Sequence, residues 1–172
     1  GVNSLYNLNG KQISDLQFTQ ISEFRNNKAI IEFPNKSNSI IDNNGNVILN
    51  SIRNHSFERV FNDDLYLIKN NLTSKEGIIN TKNEFIIKCK YDEVFCFSEG
   101  LARVEIKANT FFGGKSGFID IAGNEVVNCK YHYAKEFSEG LALVSSDRRY
   151  GYINKKGEEA IPLKYYQNYY NG

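Results

Sequence analysis

The chain has 172 residues, 41% apolar and 24% charged, with 21 Lys+Arg against 20 Asp+Glu for a net charge of +1. That length allows one domain or two small ones with a full core, and the near-neutral balance excludes a polybasic nucleic-acid or membrane-surface binder. No apolar run reaches the roughly 18 residues of a spanning helix, no basic-then-apolar leader is read at the N-terminus, and three cysteines are too few for a disulfide framework.

Taken in order, the chain repeats itself. Ser4–Gly10, Ser39–Gly45, Gly77–Asn83, Gly117–Gly123 and Gly151–Gly157 share one spacing, an aliphatic or aromatic pair, then Asn or Asp, then Gly or Asn three residues later. Asn or Asp hydrogen-bonds back to the chain in such a turn, and Gly or Asn accepts positive φ; Asn83 fits that rule. The turn positions Gly10, Gly45, Asn83, Gly123 and Gly157 are 35, 38, 40 and 34 residues apart. Between them run further copies: Phe24–Ile31, Phe61–Ile68, and the two clearest, Tyr91–Val104 and Tyr131–Val144, which share Phe-Ser-Glu-Gly-Leu-Ala. Five units result, approximately 1–38, 39–76, 77–116, 117–150 and 151–172, the last ending before its own Phe-Ser-Glu-Gly strand. Short β-branched and aromatic runs flank every turn and no window has helical periodicity. The expectation is an all-β array in one domain, three strands per unit and about fifteen in all, solenoid-like by first choice and propeller-like by second. Ile79, Tyr91, Phe97, Ile119, Tyr131, Phe137 and Ile153 are expected in the core. Ala102, Val104, Ala142 and Val144 belong on one strand face, Leu101 and Leu141 on the other.

The pattern Gly-aromatic-Ile-Asn-x-x-Gly, then Tyr, then Phe-Ser-Glu-Gly-Leu-Ala-x-Val, is clearest over residues 77–165 and resembles the bacterial WG-repeat (KWG-repeat) family. The naming Trp-Gly pair is absent, since the chain has no Trp; Tyr150-Gly151 is nearest, while Glu76-Gly77 and Ser116-Gly117 lack the aromatic. The resemblance implies an all-β repeat array used in bacterial recognition, with no reaction attached.

The motifs that could carry chemistry read as structure. Phe111–Ser116 ends like a phosphate-binding loop, but Asn109 stands where such a loop needs Gly, and a strand follows instead of a helix. Ser98 and Ser138 have no His in a triad context. Glu99 and Glu139, repeat-equivalent, read as turn charges rather than a glycosidase pair. Cys89 and Cys129 share a slot with Leu16 and Leu163 and read as small core hydrophobes, with a Cys89–Cys129 bridge as the lesser alternative. No metal site and no cofactor are expected, and the chain reads as a non-enzyme.

The function expected is a recognition or scaffold module binding another protein, with a carbohydrate or cell-wall glycan as the alternative ligand on the strength of 13% aromatics. No nucleic acid and no membrane insertion are expected. Two places are singled out for partner binding. The joint from Val104 to Gly117 is 13 residues against 7 to 9 elsewhere; this insertion carries Phe111 and Phe112, with Lys107 and Lys115 at its rim, and insertions in repeat arrays often lie on the binding face. The other is the tyrosine-rich C-terminus, Tyr166, Tyr169 and Tyr170; Tyr165 falls in the Tyr91/Tyr131 slot and is expected inside. The strand near Ala160–Leu163 is expected to lack a neighbour, which would favour a homo-oligomer through the C-terminal edge. An Asn-, Ile- and Lys-rich composition suggests a bacterium. Unpaired cysteines lean cytoplasmic; a secreted or envelope location stays open, because the sequence begins at Gly1 without Met.

Overall fold

Asx turns and β-branched runs generate eighteen strands in the computed structural model, which describes residues 1–6, 9–107 and 114–166. No helix occurs among them. The chain forms two compact units, Gly1–Lys90 and Tyr91–Gly172. In the first, β1 (Asn3–Tyr6) and β2 (Gln12–Phe18) make a two-stranded sheet. Two four-stranded antiparallel sheets follow: β3 (Gln20–Ile21), β4 (Lys28–Glu32), β5 (Asn38–Asp42) and β6 (Val47–Asn50), then β7 (His55–Val60), β8 (Leu65–Asn70), β9 (Glu76–Asn80) and β10 (Phe85–Tyr91). The second unit holds two more: β11 (Glu93–Ser98), β12 (Leu101–Ile106), β13 (Lys115–Asp120) and β14 (Glu125–Tyr131), then β15 (Tyr133–Ala134), β16 (Leu141–Ser146), β17 (Arg149–Asn154) and β18 (Glu159–Tyr166). Each is an open meander with strands in sequence order.

The all-β repeat architecture is as expected, but the count of three strands per unit is corrected to four. The additional strand follows the Tyr slot. It is only two residues long at Gln20–Ile21 and Tyr133–Ala134, too short for an alternating pattern to show. The sheets are also offset from the sequence repeat by half a unit. Each complete sheet joins the last two strands of one repeat to the first two of the next. The chain moves on to a new sheet through a single residue after an aromatic: Thr19 after Phe18, Asp92 after Tyr91, His132 after Tyr131. The N–H of that residue donates to the fourth strand of its repeat, Thr19 to Glu32 O at 2.7 Å, Asp92 to Glu105 O at 2.9 Å and His132 to Ser145 O at 2.9 Å. The expectation that the strand near Ala160–Leu163 lacks a neighbour is therefore wrong. β18 pairs with β17 and is an edge, as β6, β10 and β14 are in their own sheets.

The Asx turn is built the same way four times, with interchangeable chemistry. Asp120 Oδ1 accepts from Ala122 N (3.0 Å) and Asn124 N (2.8 Å), while Asn124 Nδ2 donates to Asp120 Oδ2 at 2.9 Å. Asp42 and Asn46 repeat this. In the other two turns the roles swap: Asn80 Nδ2 donates to Glu84 Oε2 and Asn154 Nδ2 to Glu158 Oε2, both at 2.8 Å. One donor and one acceptor are conserved; their positions are exchanged. The Asn124 amide, together with turn N–H groups, holds the Asp120 carboxyl below its ordinary value against the opposing effect of burial. Positive φ follows as expected, at Gly45, Gly123, Gly157 and Asn83 (63°). Asn124→Glu should destabilise the second unit by setting two carboxylates together. Adding Asp120→Asn, which recreates the Asn80/Glu84 pair, should restore most of the loss. Urea denaturation of both singles and the double should give a coupling of about 1 kcal/mol; strict additivity would overturn the exchange rule.

All four complete sheets share one register across their central strands: Ala29 faces Ile41, Tyr66 faces Ile79, Ala102 faces Ile119 and Ala142 faces Ile153. These residues line what we term the leading face, and all eight are fully buried. Neighbouring residues point to the trailing face. Within each unit, a trailing face packs on the next leading face. Phe18 of β2 sits on Ala29, Ile31 and Ile41; Ile40 and Leu49 sit on Tyr66, Ile68 and Ile79. In the second unit Phe118, Val127 and Tyr131 sit on Ala142, Val144, Ile153 and Phe137, the Phe118 and Phe137 rings meeting edge-on at 4.8 Å. The Tyr91 hydroxyl donates to Glu125 at 2.7 Å, and burial together with that carboxylate pushes its pKa up.

Ile79, Tyr91, Ile119, Tyr131, Phe137 and Ile153 are buried as expected; Phe97 is only half-buried, where the β11–β12 register is irregular. Leu101 lies on the strand face opposite Ala102, as expected, and is buried there in the cluster that holds Phe118 and Tyr131. Two residues at positive φ, Glu99 and Gly100, close the first Phe-Ser-Glu-Gly hairpin, and Glu139 and Gly140 close the second, the geometry that matches strand twist. The hairpins are joined to each other. Ser98 Oγ donates to Phe137 O at 2.8 Å, and Glu99 Oε2 accepts from Gly140 N and Lys155 Nζ, each at 3.0 Å. The Lys155 ammonium, followed by the Gly140 N–H, holds the Glu99 carboxyl below its usual range against desolvation. The recurrence of Ser-Glu-Gly is thus a repeat-to-repeat link.

Candidate interaction face

The trailing face of the last sheet follows from the same register. Tyr133, Ser145, Tyr150 and Tyr165 stand directly opposite one another across β15, β16, β17 and β18, and Leu143, Tyr152 and Ile161 form the adjacent row. Residues opposed in this way share a face, so four tyrosines and two aliphatic residues project together. Tyr133 and Tyr150 meet edge-on with ring centroids 6.3 Å apart. The Lys164 ammonium lies 5.5 Å from the centre of the Tyr165 ring.

Comparison with the preceding repeats shows what is unusual here. The slot of Tyr152 holds Ile40, Ile78 and Phe118 earlier in the chain, all 0% exposed, whereas Tyr152 is 38% exposed. The slot of Ile161 holds Ile87 at 3% and Val127 at 4%; Ile161 is half-exposed. The slot of Tyr165 holds Phe18, Tyr91 and Tyr131, all buried, and Tyr165 is 53% exposed. The expectation that Tyr165 lies in the core is therefore corrected. Its slot is covered by a following sheet, and no further sheet follows β18 among the described residues.

The residues singled out from sequence fall differently. Tyr166 is on β18, 64% exposed, with the Arg149 guanidinium 5.9 Å from its ring centre. It alternates with Tyr165 and so points away from the trailing face. Lys115 opens β13 with its Nζ 2.8 Å from His132 Nε2, and Lys107 pairs with Glu93 at 2.6 Å. Phe111, Phe112, Tyr169 and Tyr170 lie outside the described residues. The sequence reading missed Tyr133, Tyr150, Tyr152 and Ile161. For Tyr152 and Ile161 the available signal was positional, since each occupies a slot that is apolar and buried in the third and fourth repeats; the polar equivalents of Tyr133 and Tyr150 gave no such signal.

Ser98 Oγ is engaged by the Phe137 carbonyl. His55 and His132 bond to Arg53 O with Asn70, and to Lys115, respectively. Among the described residues no group of three or more His, Cys, Asp or Glu could hold a metal ion, and no helix is long and apolar enough to cross a membrane. None of the three cysteines is in a disulfide; Cys89 packs on an apolar cluster, and burial pushes its thiol pKa up.

The family model described as "WG containing repeat" matches residues 4–36, 77–109, 117–148 and 150–167, more than half of the chain. The chain belongs to the WG-repeat family. No curated protein matches it. The family is a repeat module rather than an enzyme family. The unmatched stretch is the second repeat, where Ser39 replaces the motif glycine and Arg53 replaces the buried aromatic. At the position of the WG-repeat tryptophan the chain carries Asn3, Asn38, Glu76, Ser116 and Tyr150. Asn38 there pairs with the Phe57 backbone, its Nδ2 donating to O at 2.9 Å and its Oδ1 accepting from N at 3.0 Å. Only the last repeat keeps an aromatic, on the exposed trailing face.

Proposed function

We propose that this WG-repeat chain is a non-catalytic recognition module that binds a protein partner through the trailing face of its last sheet. One observation carries the reading: the Tyr152, Ile161 and Tyr165 slots, all buried in the third repeat (Ile78, Ile87, Tyr91) and the fourth (Phe118, Val127, Tyr131), are open together here. The earlier equivalents are covered by protein, so the face has the shape and apolar character that suit protein. Tyrosine is favoured at such surfaces because a rigid ring contributes contact area and its hydroxyl tolerates water. A homo-oligomer through the C-terminal end, or a glycan stacked on the tyrosines, would use the same face.

Replacing Tyr152 and Tyr165 together by Ser should leave the melting temperature within a few degrees of wild type, since both rings are already in water. Capture of the partner from a lysate of the native host should fall at least tenfold. Phe118→Ser, in the equivalent buried slot, should instead cost about 3 kcal/mol or more. Sedimentation and a peptidoglycan co-sedimentation assay on the same variants identify the class of ligand. Undiminished capture by the double variant would dismiss this face.

A further inference from the structure

We infer that the cleft between the β3–β6 and β7–β10 sheets of the first unit binds a free α-amino acid with a short aliphatic side chain. This site shares no residue with the tyrosine face and can fail separately. The cleft encloses about 270 Å³ and is lined by two apolar residues, Ile30 and Val60, and four charged ones, Glu23, Arg25, Glu58 and Arg59. Both sheets that form it are complete, with all four strands in place. The second unit shows what occupies the equivalent space there. The ladders align Ser22 with Phe95 and Ile30 with Arg103, and the repeat aligns Val60 with Glu136. The Arg103 guanidinium lies 3.4 Å from the centre of the Phe95 ring, its Nη2 is 3.3 Å from Glu136 Oε1, and it pairs with Glu105. A ring, a cation and a carboxylate thus fill that space from within the chain. In the first unit serine, isoleucine and valine replace all three, and the space is open. A carboxylate returns to it from another position. Between Phe57, opposite Ile68, and Arg59, opposite Leu67, β7 carries one extra residue, Glu58. Bulges of this kind are frequent beside ligand sites, where they re-aim a side chain.

The charges and the volume specify the occupant. Glu23 and Arg25 both line the cleft, and neither side chain forms an ion pair or hydrogen bond among the described residues. Glu58 Oε1 accepts from Ser56 Oγ at 2.7 Å. Ser22 Oγ is already engaged, donating to Glu23 O at 3.0 Å and accepting from Ile30 N at 2.9 Å, so the charged groups are left to do the recognition. Guanidiniums and carboxylates around one small apolar space suit a ligand that carries both charges close together. A carboxylate fits the Arg25 fork, an ammonium fits Glu23 and Glu58, and a short aliphatic side chain fits against Ile30 and Val60. Ligand sites start at roughly 300 Å³, so this one admits a single amino acid rather than a peptide of several residues.

The probe is L-leucine, titrated into the isotope-labelled full chain and followed by amide NMR shifts. Saturable shifts should appear at Ser22–Arg25 and Glu58–Val60. Isocaproate, which lacks the ammonium, and isoamylamine, which lacks the carboxylate, should each bind at least tenfold more weakly. Arg25→Gln and Glu58→Gln, both at exposed positions and checked for fold by the same spectra, should each weaken leucine binding at least tenfold, the loss of one charge-assisted contact. Ile30→Arg, which copies the filling of the second unit, should abolish binding. Absence of saturable shifts up to millimolar leucine would overturn the proposal, as would leucine binding unchanged in Arg25→Gln and Glu58→Gln. Isocaproate binding as tightly as leucine would overturn the assignment to an amino acid and make the cleft a carboxylate site. Full binding by a folded Ile30→Arg chain would place the ligand elsewhere; if that variant does not fold, the two exposed variants decide alone.

Discussion

Ala142→Glu should abolish cooperative folding of the 91–172 unit. Ala142 is fully buried on β16, opposite the equally buried Ile153, in the cluster that holds Phe118, Phe137 and Val144. A carboxylate there meets only hydrocarbon and backbone already engaged in the ladder. An uncompensated buried charge costs about 3–5 kcal/mol, and the added volume in a close-packed core costs roughly 1–3 kcal/mol more. Against a total stability of about 5–15 kcal/mol for a whole domain, little or nothing remains. Leu143→Glu is the control. Leu143 is the next residue along and points to the trailing face, and its equivalent in β12 is already charged: Arg103 lies over the Phe95 ring at 3.4 Å and pairs with Glu105 and Glu136. The control should unfold cooperatively with a loss of about 1 kcal/mol. Urea titration followed by tyrosine fluorescence, with dye binding to detect exposed apolar surface, separates the two. Equal stability of both variants would remove the assignment of leading and trailing faces.

That assignment was partly legible in the sequence, and the boundary of legibility has a physical origin. The Asx turn at Asn80–Glu84 could be read because its chemistry is local: an amide oxygen reaches N–H groups two and four residues on, at 2.9 and 3.0 Å. The Ile79, Ile119 and Ile153 slots could be read because strand alternation is local too. Which strands share a sheet is not local. The sequence repeat invites a boundary at Gly77, Gly117 and Gly151, yet β9, β13 and β17 are central strands bonded on both sides, and the break comes after the aromatic at Tyr91 and Tyr131. A periodic sequence fixes the spacing of its units but not the phase at which they are cut. The candidate face was hidden by the same fact. Tyr165 carries the letter of a core residue; whether that letter is buried depends on a sheet supplied by later residues.

The motif glycine gives the second large effect: Gly117→Ala should destabilise the 91–172 unit by about 3 kcal/mol. Its φ is not positive, so backbone torsion is not the constraint. Across the ladder, Ser116 faces Tyr131 and Phe118 faces Val127, so Gly117 alone confronts a three-residue bulge of β14. A Cβ on Gly117 would come to 2.7 Å from Asn128 C and Cys129 N, and nearer still to Val127 O, all backbone atoms. Gly77 and Gly151 meet β10 and β18 in the same way. The bulge also explains the residue shared by Cys and Leu. Cys129 sits in its middle, and its Sγ reaches to 3.9 Å from the carbonyl oxygen of Val104, the residue paired with Gly117. Cys89 does the same to Ile68, the residue paired with Gly77, at 3.7 Å. Two repeats show when a side chain is tolerated. Ser39 faces Asn50 with only a single register step in the ladder, so no bulge crosses it, and its hydroxyl bonds Asn50 Oδ1 at 2.8 Å. Ser4 does face a bulged strand, but among the described residues β1 is bonded only to β2, which leaves its other side unconstrained by them. β13 is held between β12 and β14. Ser39→Ala, losing one hydrogen bond, should therefore cost about 1 kcal/mol, and the gap between it and Gly117→Ala in urea denaturation measures the close approach. Equal costs at the two positions would show that β14 yields, and that the glycine of this repeat is kept for another reason.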